Sequence, residues 1–386
     1  MPADFDPALH LPDDLLERIR VRAAGVDSGN AFPHEDLAEL TEAGYLRILV
    51  PVDRGGAGLS LAQASLLQQR LAAAAPATAL AVNMHLVWTA VAKILSDRGD
   101  SALAFVQEGA ARGEIYAFGI SEAGNDLVLF DSDTDASPAP DGGYVFTGTK
   151  IFTSLAPVWT SLGVHGRDDS DPDRPQIVFA FVSRDESVVT RDDWDTLGMR
   201  GTQSRTTELH GARAARSRVV REIDPENGPD PLQFAIFAAF ELLIASVYTG
   251  IARRGIELAA SAVTGRVSRK TGEPRSEDPV VRARIGDLSI AFDGLTLELR
   301  ALTGDLDTLV DHGAGWFPLL SGMKHRAVTT AQRIVDDAAV SAGGSAFRNA
   351  HELARLVRDV RAGTFHPSSP DSARQAAAAA WLGAQG

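Results

Sequence analysis

Apolar positions change their period twice along this 386-residue chain, and the changes divide it into three sections. In the first, Leu15 and Ile19 open a helical pattern that Phe32, Leu37, Leu40 and Leu46 carry on towards Val50. Pro51 and the glycine-rich run 55–58 stop it and force a loop, after which helical spacing resumes over 61–71 and 77–95. From residue 116 the spacing becomes that of strands, over 116–120, 143–152, 176–182 and 206–210. The last section is helical again. There Val281, Ile285, Leu288, Phe292, Leu295, Leu299, Leu302, Leu306 and Leu309 follow one another at alternating steps of four and three, an apolar seam of four heptads. A helix carrying it spans roughly 43 Å at 1.5 Å per residue, although Gly286, Gly294 and Gly304 weaken it. A helix that long needs partners, which points to a four-helix bundle that also forms an oligomer interface. The expected fold is α+β: a helical domain over 1–115, an antiparallel β-barrel or sandwich over 116–225 and a helical bundle over 226–386.

Composition narrows function mainly by exclusion. The absence of cysteine removes disulfides, thiolate zinc sites and thiol nucleophiles together. The nine histidines include no HxxxH or HExxH spacing, and the acidic stretch 166–175 reads as a solvated hairpin loop, so no metal site is expected. A net charge of −14 argues against nucleic acid as a partner. The acidic N-terminus is unlike a signal peptide and no membrane span is read, so a cytoplasmic protein with a small-molecule substrate is expected.

Three blocks carry candidate chemistry: YAFGISEAGNDL from Tyr116, GYVFTGTKIFTS from Gly143 and LGMRGTQSRTTEL from Leu197. Each runs from strand-type alternation into a turn of glycines and small hydroxyl residues, where backbone can approach a ligand closely. Flanked by long helices on both sides, these blocks resemble the acyl-CoA dehydrogenase superfamily of flavin enzymes. The resemblance implies FAD, with FMN as the alternative, and places Phe118, Ser121, Phe152 and Ser154 along the isoalloxazine, two Ser standing where the family has Thr. It matches Arg269 to the arginine that reaches the cofactor pyrophosphate across a subunit interface, and Gly343 with Gly344 to the turn near the adenosine. The first turn departs from the family's Thr-Glu-Pro pattern, and Asn125 stands in for the serine that faces the substrate thioester.

The usual catalytic base is missing. Where the family carries the Glu of its C-terminal Glu-Gly-Thr motif, this chain has Pro367, within the run Phe365-His366-Pro367. A second branch carries its Glu at the position of Phe240, one residue before Glu241; one helical step is about 100°, so Glu241 serves only if that helix is shifted or distorted. Glu241 lies in an apolar run that would raise its pKa, as suits a base. A third branch, flavin monooxygenases on this fold, places a histidine on the C-terminal segment and another on an N-terminal helix, which His366 and His85 match. The leading expectation is therefore dehydrogenation of an acyl-CoA or acyl-carrier thioester with an electron-transfer partner, in a homodimer or homotetramer. The alternatives are oxygenation with reduced flavin from a partner reductase, or a flavin-binding subunit lacking a base.

Overall fold

The computed structural model describes residues 5–228 and 230–383. Five helices come first: α1 (Asp13–Gly29), α2 (His34–Glu42), α3 (Leu61–Ala74), α4 (Pro76–Ser96) and α5 (Ala104–Ala111). Eight strands follow: β1 (Tyr116–Gly119), β2 (Asp135–Pro138), β3 (Tyr144–Thr153), β4 (Ser161–Asp168), β5 (Gln176–Ser183), β6 (Val188–Thr190), β7 (Arg205–Ala214) and β8 (Val219–Ile223). The chain ends in α6 (Pro231–Thr264), α7 (Pro279–Asp307), α8 (Trp316–Ala342), α9 (Glu352–Asp359) and α10 (Pro370–Leu382). This is the helical, sheet, helical order read from the sequence.

Helix starts are set by local chemistry. Ser60 with Gln63, and Asp230 with Gln233, form reciprocal capping boxes on α3 and α6. At the α3 start the carboxylate of Asp307, from the end of α7, also accepts from Leu61 N at 2.7 Å and Ala62 N at 2.9 Å, fastening the first section to the last. Helix α6 is almost wholly apolar and buried over residues 232–252, Glu241 apart, where neighbouring helices enclose it, and carries its other charged side chains, Arg253, Arg254 and Glu257, only beyond. Both α4 and α6 are long and apolar enough to cross a membrane by length and composition, yet 94% and 83% of those stretches are buried inside the fold. The seam on α7 buries Val281, Leu288, Leu295, Leu299, Leu302 and Leu306 without a break at its three glycines. Leu309 falls beyond the helix end, exposed, with φ at +59°.

The sheet runs β6-β7-β3-β2-β4-β5-β8, with β1 pairing beside β4. It is mixed rather than purely antiparallel, since β1 and β2 both lie parallel to β4. The reason is the entry of the chain: β1 arrives from α5 across the helical layer, not through a hairpin. Trp88 of α4 fixes that junction, its Nε1 donating to Ala117 O at 2.9 Å while its ring lies over Gly163, where a Cβ would sit 2.2 Å from the indole. The helical and sheet layers thus share one core.

Candidate active site

Two cavities meet where the ends of β1 and β3 approach α6 and the segment 363–368. The inner one has a volume of about 340 Å³ and the outer one about 530 Å³, both within the usual range for small-molecule sites. Phe118, Ser121, Phe240, Phe365, His366 and Pro367 belong to both. Phe118 and Phe240 stack with centroids 5.4 Å apart and planes 24° from parallel, forming the common wall.

The inner cavity gathers Phe118, Ser121, Phe152 and Ser154. At the end of β3 and just beyond it the backbone turns through left-handed conformations at Phe152 (φ +58°) and Leu155 (φ +63°), and the facing loop does so at Met199 (φ +54°) and Gln203 (φ +44°). Such non-glycine strain concentrates where a fold holds a ligand. The loop is pinned from behind: Asp359 Oδ1 accepts from Met199 N at 2.6 Å, and Gly198 lies so close to Arg358 that a Cβ would meet its carbonyl carbon at 2.4 Å. Burial lifts the Asp359 carboxyl to about 6. Arg358 pairs with Asp27 of α1, so all three sections hold this loop. Ser154, Ser204 and Thr202 form a chain of hydroxyls at 2.7 Å per step. Phe152 lies edge-on to Trp194, and Arg358 and Arg361 complete the wall. A flat apolar wall, hydroxyl donors and two guanidinium groups are what an isoalloxazine with a phosphate tail requires, so the residues fit a flavin.

The first turn rests on a buried ion pair. Glu122 Oε1 accepts from Lys150 Nζ at 2.6 Å, Ser132 Oγ at 2.7 Å and Thr134 Oγ1 at 2.6 Å, spanning the loop from Ser121 to Thr134. Burial lowers Lys150 to about 8 against the pull of Glu122. Burial opposes ionisation of Glu122 as well, but the ammonium and these donors hold it well below the usual carboxylate range.

The junction of the cavities carries the titratable groups. His366 Nε2 meets Tyr248 OH of α6 at 2.9 Å, and burial with the nearby Lys324 charge pushes the imidazole down to about 3, leaving it neutral. Lys324 of α8 is buried and donates to the carbonyls of Gly363 (2.9 Å), His366 (2.7 Å) and Ser368 (2.8 Å), so one ammonium pins the segment that carries His366. Burial lowers it to about 8. Glu241 is 1% exposed; its Oε1 accepts from Ser368 N at 2.8 Å and Ser368 Oγ at 2.7 Å. Burial raises it to about 6 against the opposing pull of Lys324. Helix α6 is continuous here, so the distortion expected for Glu241 is not needed: Phe240 faces both cavities while Glu241 reaches the outer one beside Ser368.

Two family models match the chain, that for the acyl-CoA dehydrogenase N-terminal domain over residues 15–102 and that for the C-terminal domain over 242–369. The chain belongs to the acyl-CoA dehydrogenase superfamily. Within that superfamily it is similar to a dibenzothiophene monooxygenase of Rhodococcus qingshengii, at 27% identity over 94% of this chain and 90% of the relative. It is also similar to an L-evernosamine nitrososynthase of a Micromonospora strain, at 28% identity over 94% of this chain and 87% of the relative. The structure of TdsC from Paenibacillus sp. A11-2, solved with FMN and indole, superposes with a TM-score of 0.85 at 22% identity, covering 97% of this chain and 96% of that one.

Other residues that the superfamily pattern singled out lie elsewhere. His85 is fully buried in α4, its Nε2 bonded to Leu46 O at 2.7 Å and its Nδ1 to Tyr116 N at 3.1 Å. Burial lowers it to about 4, both nitrogens are occupied, and it touches neither cavity; the expected catalytic histidine is a core residue because β1 uses it as an acceptor. Asn125 is also corrected. It donates to Glu122 Oε2 and Asp131 O and accepts from Leu127 N and Val128 N, which spends the amide on its own loop instead of a substrate. Arg269, in the loop between α6 and α7, and Gly343 with Gly344, just past the end of α8, lie outside the walls of both cavities. That loop does meet the glycine turn, but through Arg266, which donates to Ala342 O and Ser345 Oγ. Lys324, Tyr248, Asp359 and Ser368 escaped sequence reasoning. A lysine within the otherwise apolar stripe of α8 was the available signal for the first.

Proposed function

We propose that the protein is a flavin-dependent monooxygenase acting on a small, mostly apolar molecule, with reduced flavin supplied by a partner reductase. The observation that carries this reading is the outer cavity. Its walls combine phenylalanine and aliphatic side chains with Asp126, Glu241, Asp371, His366, Gln375 and four serines, and include no Lys or Arg. The phosphates of a coenzyme A thioester would find carboxylates there and no cation. Pro367 in place of the family's base points the same way, as do the activities of the relatives above.

The Phe118–Phe240 pair would wall the ring, Ser121 and Ser154 would face its polar edge, and Arg358 and Arg361, each already paired with a carboxylate (Asp27 and Asp336), would turn their remaining donors to the phosphate. Reduced flavin, when bound, supplies two electrons to O2, so that one oxygen atom enters the substrate and the other leaves as water. His366 stands between the cavities as an uncharged imidazole held by Tyr248. A neutral ring can donate or accept one hydrogen bond at a reacting oxygen without neutralising its charge. Lys324 keeps that ring in place, and the aromatic walls exclude water.

Dehydrogenation, the leading expectation from the sequence, keeps one observation in its favour: Glu241, buried and raised to about 6, is placed to take a proton in the outer cavity. One experiment separates the readings. The protein is loaded with FMN or FAD and supplied with NADH and a flavin reductase under 18O2, using indole as the aromatic probe; an acyl-CoA panel is mixed with it anaerobically. Oxygenation predicts label in the indole product and no bleaching by any acyl-CoA. Anaerobic bleaching by an acyl-CoA, with no label incorporated, refutes it.

A further inference from the structure

The outer cavity holds an acceptor with nothing to accept. Glu241 is 1% exposed and forms part of the wall; Ser368 satisfies Oε1 twice, while Oε2 has no hydrogen-bond partner. The neighbouring cation does not fill the gap, since the Lys324 ammonium is committed to three carbonyls. A buried carboxylate oxygen left unmatched is costly, and a ligand that brings a donor recovers the loss. The last torsion of a glutamate is broad, so the carboxylate can turn towards an entering group while Ser368 stays in contact.

The surroundings say which donor suits. Asp126 adds negative charge, Asp371 is paired with Arg374 at 2.8 Å, and no Lys or Arg lines the cavity, whose imidazole, His366, is held neutral. Two stacked aromatic pairs also line it, Phe118 with Phe240 and Phe237 with Phe317, the latter with centroids 4.6 Å apart. Aromatic faces and carboxylates both attract an ammonium and repel an anion.

We infer that the outer cavity selects substrates that carry a primary amine on an apolar, ring-sized body, with Glu241 as the residue that receives the ammonium. This rests on the outer cavity being the substrate side of the proposed oxygenase. It makes Glu241 a specificity residue instead of a base, and gives the missing partner of Oε2 a chemical identity.

The test is equilibrium binding to the FMN-loaded protein by calorimetry, using three probes of matched shape: tryptamine, 3-ethylindole and indole-3-propionate. Tryptamine should bind at least about tenfold more tightly than 3-ethylindole, the size of one charge-assisted hydrogen bond, and indole-3-propionate more weakly than either. Glu241→Gln preserves the shape and the Ser368 contacts; it should leave 3-ethylindole affinity within twofold and abolish the tryptamine preference. Ser368→Ala, which keeps the carboxylate, should retain the preference. Equal binding of tryptamine and 3-ethylindole to the wild type, or a preference that survives in Glu241→Gln, overturns the inference. Should Glu241→Gln not fold, the wild-type ranking decides alone. Binding needs no turnover, so the tryptamine preference and its loss in Glu241→Gln test the amine site, while the 18O2 and acyl-CoA experiment tests the oxygenase reading separately.

Discussion

Replacing Lys324 by Met tests whether one buried ammonium organises the active segment. Met retains most of the stem volume and removes only the charge and its three donated bonds, to Gly363, His366 and Ser368. Hydrogen bonds from a charged donor contribute about 1.5–3 kcal/mol each, giving a gross loss of roughly 4–9 kcal/mol. Against this stands the burial that lowers Lys324 from 10.5 to about 8, an offset of roughly 3 kcal/mol at about 1.4 kcal/mol per pH unit. Some freed carbonyls also regain water, so a net loosening of ~2–4 kcal/mol is expected, local to the segment. Hydrogen exchange reads this directly. The Ser368 amide, which donates to Glu241, should exchange roughly 30- to 700-fold faster in Lys324→Met, while amides in the middle of α4 keep their protection. Oxygen uptake with reduced flavin should shift from product towards hydrogen peroxide as His366 loses its fixed place. A folded Lys324→Met protein whose Ser368 amide exchanges within threefold of wild type would refute the pinning role.

The two histidines matched to the monooxygenase branch should separate cleanly. His85→Ala removes two buried hydrogen bonds and leaves a void, which should cost ~3 kcal/mol in urea denaturation while the folded fraction keeps full turnover. His366→Ala should unfold at nearly the wild-type midpoint and lose at least tenfold in coupled oxygenation; the reverse pattern would contradict the site. The pH dependence of stability follows from the same groups. His85, His366 and His165, which is buried on β4 with its Nδ1 3.2 Å from Lys150 Nζ, have folded values of about 4, 3 and 3, below the unfolded value of 6.5, so the unfolded chain takes up protons first. Stability therefore falls as pH drops below about 6.5, by up to ~1.4 kcal/mol per pH unit for each imidazole. Asp359 and Glu241, both raised to about 6, act in the opposite sense between their unfolded values and 6, because there the native state holds the extra protons. Three against two leaves a net loss, so urea midpoints should be lower at pH 5 than at pH 7, and a higher midpoint at pH 5 would disprove the balance.

What could be read from the sequence was whatever repeats or is local. The α7 seam is visible because six of its positions are buried at heptad spacing, and the helix stops where Thr308 caps it, one residue before the pattern's last leucine. Phe118, Ser121, Phe152 and Ser154 could be placed together through the resemblance to the acyl-CoA dehydrogenase superfamily, and the inner cavity gathers all four. Lys324 could not be placed. A lysine on a helix is ordinarily solvated, and its burial is decided by carbonyls 39 to 44 residues away. Asp359 looks like one charge in a mixed run until Met199, 160 residues earlier, donates to it. His85 was misjudged for the same reason, since its partners Leu46 and Tyr116 come from separate elements. The parallel strands were missed because β2 and β4 carry little alternation: β4 is buried along nearly its whole length, and β2 is short and mostly exposed.

The Phe118–Phe240 wall, common to both cavities, constrains how the enzyme can change. Any replacement at either ring reshapes both cavities in one stroke, so on the proposed reading, with flavin in the inner one and substrate in the outer, neither position is free to drift towards a new specificity on its own. Leu127, Phe130, Phe237 and Phe317 border the outer cavity alone. Divergence in what is oxidised, whether natural or directed in the laboratory, has its open route through those four side chains.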